Sequence, residues 1–232
     1  LDDIPSDVNG VVFISEVPNI FLAGADLNKM KRCLGDSPAL LEMLTKGQDL
    51  FNRIESINVP TVAAINGACL GGGYELALAC DYRIATNNKA TKIGLPEVNL
   101  GILPAWGGTT RLPRLIGVIP SLKVILGGAQ NPVKYAKKLG LVDKIVHTEN
   151  LKQSALDYLS SNKQIKRKKP FLQNPVNLIA YSQAKKNVLK KTAGNYPAPL
   201  KIINVLKQSC KVSVKESLKL EQDAFLELSK TK

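Results

Sequence analysis

The run Pro60-Thr61-Val62-Ala63-Ala64-Ile65 leads almost directly into Gly67-Ala68-Cys69-Leu70-Gly71-Gly72-Gly73-Tyr74-Glu75-Leu76, and this junction restricts the architectures open to the chain. A short, uncharged, β-branched run reads as a buried strand. Three consecutive glycines ahead of Leu76-Ala77-Leu78-Ala79 read as a sharp turn that opens an apolar helix. The same alternation recurs. Residues 11–15, 82–86, 90–93 and 142–147 read as further strands. Helices are expected to start at Gly24, to span 40–54 with an apolar stripe, and to cover 109–116 and 133–139. Strands alternating with helices argue for an α/β fold of parallel βαβ units.

Charge divides the chain. Residues 151–232 hold 17 of the 32 Lys and Arg but only 5 of the 19 Asp and Glu, while 1–150 is close to neutral. The composition shift places a boundary near 150, with a core in 1–150 and a basic helical region in 151–232. Helical patterns cover 152–160, 175–191, 199–212 and 217–228, with the lysine-rich 166–170 as a linker. Cys33, Cys69, Cys80 and Cys210 form no CxxC pair and His147 is the single histidine, so no metal site is expected. No apolar stretch is long enough to span a bilayer. The first residues are acidic and resemble no targeting peptide. The chain opens on Leu1, so its expected place is inside a longer protein.

Two carboxylates lie in the most apolar, least charged part of the sequence. Glu75 follows the triple glycine. Glu97 lies in Gly94-Leu95-Pro96-Glu97-Val98-Asn99-Leu100-Gly101-Ile102-Leu103-Pro104, which runs into Ala105-Trp106-Gly107-Gly108-Thr109. Desolvating a carboxylate is costly, so its placement among apolar residues calls for a reason. Two that meet in space can divide acid and base work, and nearby glycine turns can offer N–H groups to an oxyanion. Each feature also has a plain structural reading. The triple glycine can be a tight turn, Glu75 a surface helix residue, Glu97 a charge at a helix start, and residues 23–26 a loop with Asp26 as N-cap.

Taken together, Phe21-Leu22-Ala23-Gly24-Ala25-Asp26-Leu27, Asn66–Ala77 and Pro96-Glu97-Val98-Asn99-Leu100-Gly101 resemble the crotonase (enoyl-CoA hydratase/isomerase) family, in its order and at its spacing. Gly194-Asn195-Tyr196-Pro197-Ala198-Pro199-Leu200 resembles the segment after the crotonase part in multifunctional fatty-acid oxidation enzymes. The resemblance implies a crotonase-type spiral of βαβ units followed by a helical region. It also implies that the family's first strands and a 3-hydroxyacyl-CoA dehydrogenase part lie outside this chain. It implies hydration of 2-enoyl-CoA thioesters, with double-bond isomerisation alongside. Glu75 would activate water and Glu97 would move the Cα proton. The N–H groups of Ala25 and Gly72 would form the oxyanion hole. Ala23, Gly24, Asp26, Leu27, Gly71, Ala105 and Trp106 would contact substrate, Trp106 as pocket wall or as ordinary core. Ala105 stands where the family most often has glycine, and its methyl would crowd the catalytic water or shift an N–H donor.

No cofactor is expected in this chain. CoA belongs to the substrate, and NAD is expected for the dehydrogenase part alone. The implied partners are an acyl-CoA substrate, a thiolase beta subunit and a membrane surface. The implied location is intracellular, cytoplasmic in a bacterium or the mitochondrial matrix in a eukaryote. A rival reading takes the net charge of +13 as the mark of a basic crotonase-like scaffold that binds lipid membranes or nucleic acid without catalysis. Nucleic-acid binding is disfavoured, because the basic residues are not interleaved with aromatics and no nucleic-acid motif occurs.

Overall fold

The structure, a computed structural model, describes residues 4–5, 7–24, 33, 36–161 and 172–231. The described residues fall into two compact units. The first draws on Leu1–Gly24, Asp49–Gly94 and Gln130–Lys168, the second on Ala25–Gln48, Leu95–Ala129 and Lys169–Lys232. Both units thus contain residues from either side of position 150.

The first unit holds two four-stranded sheets. One has the order β1 (Val11–Ile14), β3 (Thr61–Ile65), β5 (Tyr82–Thr86), β8 (Lys144–Val146), all parallel. The other has the order β2 (Ile20–Ala23), β4 (Ala68–Leu70), β6 (Lys92–Gly94), β7 (Asn131–Pro132), parallel except for the β6–β7 pair. All five residues of β3 are buried, as expected of a parallel strand covered on both faces. On one side, α6 (Leu151–Ser160) lays Leu151, Ala155 and Leu159 on Val62, Ala64 and Ile84, with Tyr158 stacked on Tyr82 at 4.2 Å between centroids. β3 also meets β2 and α2 (Gly72–Ala79). The fully buried Arg83 donates to the carbonyls of Ala77, Cys80 and Asp81 and pairs with Asp143 at 2.6 Å, tying the end of α2 to the sheet.

The second unit is helical. It includes the first part of α1 (Ser37–Glu55), a 3-10 turn over Glu97–Leu100, α3 (Gly108–Ile116), α4 (Val118–Gly127), α7 (Val176–Thr192), α8 (Pro197–Ser209) and α9 (Val214–Leu228). α8 packs against α3, α4, α7 and α9. It opens with Pro197 at its start, where a missing N–H costs nothing. Arg114 of α3 donates to the carbonyls of Ser209 and Val212 at 3.0 and 3.2 Å, serving the otherwise unmet end of α8. α9 begins with a reciprocal cap, in which Ser213 and Glu216 each accept from the other's backbone N–H.

The expected strands at 11–15, 60–65, 82–86 and 142–147 are present as β1, β3, β5 and β8, and the helix expected over 133–139 is α5 (Val133–Lys138). The expected fourth strand sits two residues later, as β6. The structure adds β2, β4, β7 and α4, where the sequence showed a loop, a glycine turn or no pattern. The helix expected from Gly24 lies outside the described residues apart from Gly24 itself.

Candidate active site

In the first unit, β2, β4 and β6 run parallel and end side by side, Ala23 opposite Leu70 and Leu70 opposite Gly94. The ladder continues for one more step. Gly24 N–H donates to Leu70 O at 2.7 Å, and Gly71 N–H to Gly94 O at 2.9 Å. Ala23, Gly24 and Gly71 are therefore neighbours at the carboxyl edge of this sheet, where open α/β sheets place their ligand sites.

α2 rises from that edge. Gly71 is its N-cap, without a side-chain cap bond, and Gly72 is its first residue. The N–H of a first helical residue has no acceptor within its own helix, and the dipole there favours an anion. Gly73 has to be glycine, since a Cβ would lie 1.9 Å from Leu22 O. This close approach seats the start of α2 against β2. Glu75 lies in the first turn and is only 2% exposed. Tyr74 beside it is fully buried and donates its hydroxyl to Leu141 O at 3.0 Å, which fixes the rotation of the short helix.

In the second unit, Glu97 opens the 3-10 turn, which Gly101 closes in the left-handed region at φ 77°. Tyr196 donates its hydroxyl to Val98 O and Asn99 donates to Gly128 O at 2.9 Å, so the turn is anchored at the two residues that follow Glu97. Glu97 Oε2 is closed to solvent and has no hydrogen-bond partner among the described residues. Burial raises its pKa to about 7. Its own backbone N–H pulls the other way, and the charge of Glu221 adds to the rise. A carboxyl of this kind exchanges protons near neutral pH.

Ala105 and Trp106 lie in the loop between that turn and α3. Ala105 is buried and its carbonyl accepts from Gln48 Nε2 at 2.8 Å. The Trp106 ring fills the notch left by Gly47 in the middle of α1, where a Cβ would lie 2.3 Å from its Nε1. Trp106, half-buried, thus packs against α1 at Gly47. Ala25, Asp26 and Leu27 lie outside the described residues.

The structure also reveals polar residues that the motifs did not mark, chiefly Glu221 and Gln48. Both signals are present in the sequence. Gln48 continues the α1 stripe of Leu40, Leu44, Phe51 and Ile54, and Glu221 continues the α9 stripe of Leu218, Phe225 and Leu228. A polar residue in an apolar helical stripe is a buried polar residue. Among the described residues, no group of three or more His, Cys, Asp and Glu could hold a metal ion. No described helix is long and apolar enough to cross a membrane.

Residues 1–222 match the model of the family described as enoyl-CoA hydratase/isomerase. The fatty acid oxidation complex subunit alpha of Aliivibrio fischeri is 44% identical over 237 residues, covering 100% of this chain and 34% of that protein. The same subunit of Shewanella frigidimarina is 41% identical, with 98% and 33% covered. The chain spans about a third of the length of these curated relatives. Among solved structures, an enoyl-CoA hydratase from Bacillus anthracis superposes with TM-score 0.63 at 28% identity, over 95% of this chain and 73% of that one. Human mitochondrial delta3-delta2-enoyl-CoA isomerase gives TM-score 0.62 at 27% identity, over 92% and 79%. The α/β fold is the crotonase fold, and the chain belongs to the enoyl-CoA hydratase/isomerase family.

Proposed function

We propose that this chain hydrates 2-enoyl-CoA thioesters to 3-hydroxyacyl-CoA in fatty-acid β-oxidation and also interconverts 3-enoyl and 2-enoyl thioesters. The observation that carries the reading is Glu97, whose Oε2 is closed to solvent and whose pKa burial raises to about 7. Family membership supplies the substrate class.

In the proposed hydration, Glu75 takes a proton from water as the water oxygen bonds to Cβ. The π electrons move toward the thioester oxygen, giving an enolate. The N–H groups of Gly72 and Ala25 stabilise that oxygen, which is the charge that grows in the transition state. Glu97 then gives its proton to Cα as the enolate collapses, and the two carboxyls are reset through solvent. In the proposed isomerisation, Glu97 takes a proton from Cα and returns it at Cγ. Ala23, Gly24, Asp26, Leu27, Gly71, Ala105 and Trp106 are proposed substrate contacts. The half-buried Trp106 ring rests on Gly47 with one side, and its exposed part stays available to wall the acyl pocket.

We further propose that residues 1–150 supply the catalytic core and 151–232 a helical connector. In the whole protein the connector would lead to an NAD-dependent 3-hydroxyacyl-CoA dehydrogenase part, and the protein would work with a thiolase beta subunit. The relatives' name, a subunit of a fatty acid oxidation complex, supports this reading.

The test is kinetic. Glu97→Gln is expected to lower both hydration and isomerisation on the order of 10²–10⁴-fold, while Glu75→Gln strikes hydration harder. Equal, small losses in both variants would sink the division of labour.

A further inference from the structure

The loop that follows Glu97 is pinned, peptide by peptide, by charged and polar side chains of its own unit. Ala105 O accepts from Gln48 of α1 at 2.8 Å, and Trp106 O from Arg111 of α3 at 3.1 Å. Gly107 N–H donates to Glu221 Oε2 of α9 at 2.8 Å. The other oxygen of Glu221 accepts the hydroxyls of Thr109 and Thr110, each at 2.7 Å. Glu221 is fully buried. A carboxylate out of water costs several kcal/mol unless its lone pairs are met, and a neutral acceptor would hold the same donors without that cost.

We infer that Glu221 is a positioning residue for the proton chemistry assigned to Glu97, fixing the loop that follows the Glu97 turn through its bonds to Gly107, Thr109 and Thr110. The inference rests on the proposed role of Glu97. Two charged side chains bond to this loop, Arg111 from α3 and Glu221 from α9, and the charge of Glu221 is felt at Glu97 in the 3-10 turn. α1 meets α9 through Gln48 and Thr45, both uncharged. Burial is the main reason that Glu97 holds its proton, and the Glu221 charge pushes in the same direction. Arg111 and the donors from Thr109, Thr110 and Gly107 favour the ionised form of Glu221 against its burial. Two interacting carboxyls share their titration steps as a pair.

The test combines Glu221→Gln and Glu221→Asp with carboxyl titration by ¹³C NMR, Glu97 being assigned through its own Gln variant. In Glu221→Gln the Glu97 midpoint is expected to move to lower pH. Turnover on a 2-enoyl-CoA ester should fall on the order of 10- to 100-fold, with KM changed less than about twofold. Glu221→Asp, which keeps the charge, should return the midpoint toward that of the unaltered protein. An unmoved midpoint, or a loss that sits mainly in KM, would overturn the inference. If Glu221→Gln does not fold, the unaltered protein decides. Its two carboxyls should show shared, two-step curves, and independent single-step curves would overturn the inference. Full turnover in Glu97→Gln would instead overturn the proposed role of Glu97, and with it the purpose assigned to Glu221, even where the coupling is seen.

Discussion

A methyl group at position 73 would have to occupy space 1.9 Å from a backbone oxygen of β2. Neither partner is the end of a flexible side chain, so the start of α2 and β2 must part. Gly73→Ala is expected to destabilise the protein by about 3 kcal/mol or more, read as a lower urea midpoint. A midpoint within error of the unaltered protein would show that the approach can relax. Glycines of this kind make Glu75 conspicuous in sequence, because a carboxyl next to them has no ordinary surface context. Glu97 is conspicuous for the same reason. Glu221 is not, since it lies in a helix with Glu216, Asp223 and Glu227, all exposed. Only its register with Leu218 and Phe225 sets it apart. The three-way bonding to Gly107, Thr109 and Thr110 joins residues more than a hundred positions apart, which no local pattern carries.

The helices of the C-terminal region show what a repeat period can and cannot reveal. α8 and α9 are long enough for their apolar stripes to be read directly, and both bury those stripes. β4 and β7 have three and two residues, too few to show any alternation, and they exist because neighbouring strands pair with them. The reciprocal cap at Ser213 is a short-range device whose removal should be felt locally. Ser213→Ala is expected to cost about 1 kcal/mol in chemical denaturation, and no measurable change would show that packing alone fixes the start of α9. Lys207 of α8 and Lys215 and Lys219 of α9 are exposed on packed helices, and the exposed Lys211 lies in the short turn between them, which Arg114 holds through the carbonyls of Ser209 and Val212. Trypsin should therefore leave 197–228 intact under native conditions. Rapid cleavage there would mean that these helices open on their own.

At the scale of the whole molecule, pH is the variable to which the buried carboxyls respond. Burial holds Glu97 and Glu221 above the ordinary 4.5, at about 7. Between those values the folded protein retains protons that an unfolded chain has released. Their contribution to stability is therefore full below about 4.5 and is lost as pH rises through about 7. For Glu221, the rise from 4.5 to about 7 at about 1.4 kcal/mol per pH unit corresponds to about 3 kcal/mol across the window. Denaturation at pH 5 and pH 8 should show this decline, and Glu221→Gln should flatten it. An equal slope in both proteins would count against the assignment. The bond from Gly107 to Glu221 also has a consequence in time. It spans 114 positions, so a chain made at about 5–20 residues per second reaches its acceptor roughly 6–23 s after its donor. Throughout that interval the nascent loop after Glu97 lacks its tether from α9, and it gains it only when a helix made more than a hundred residues later folds.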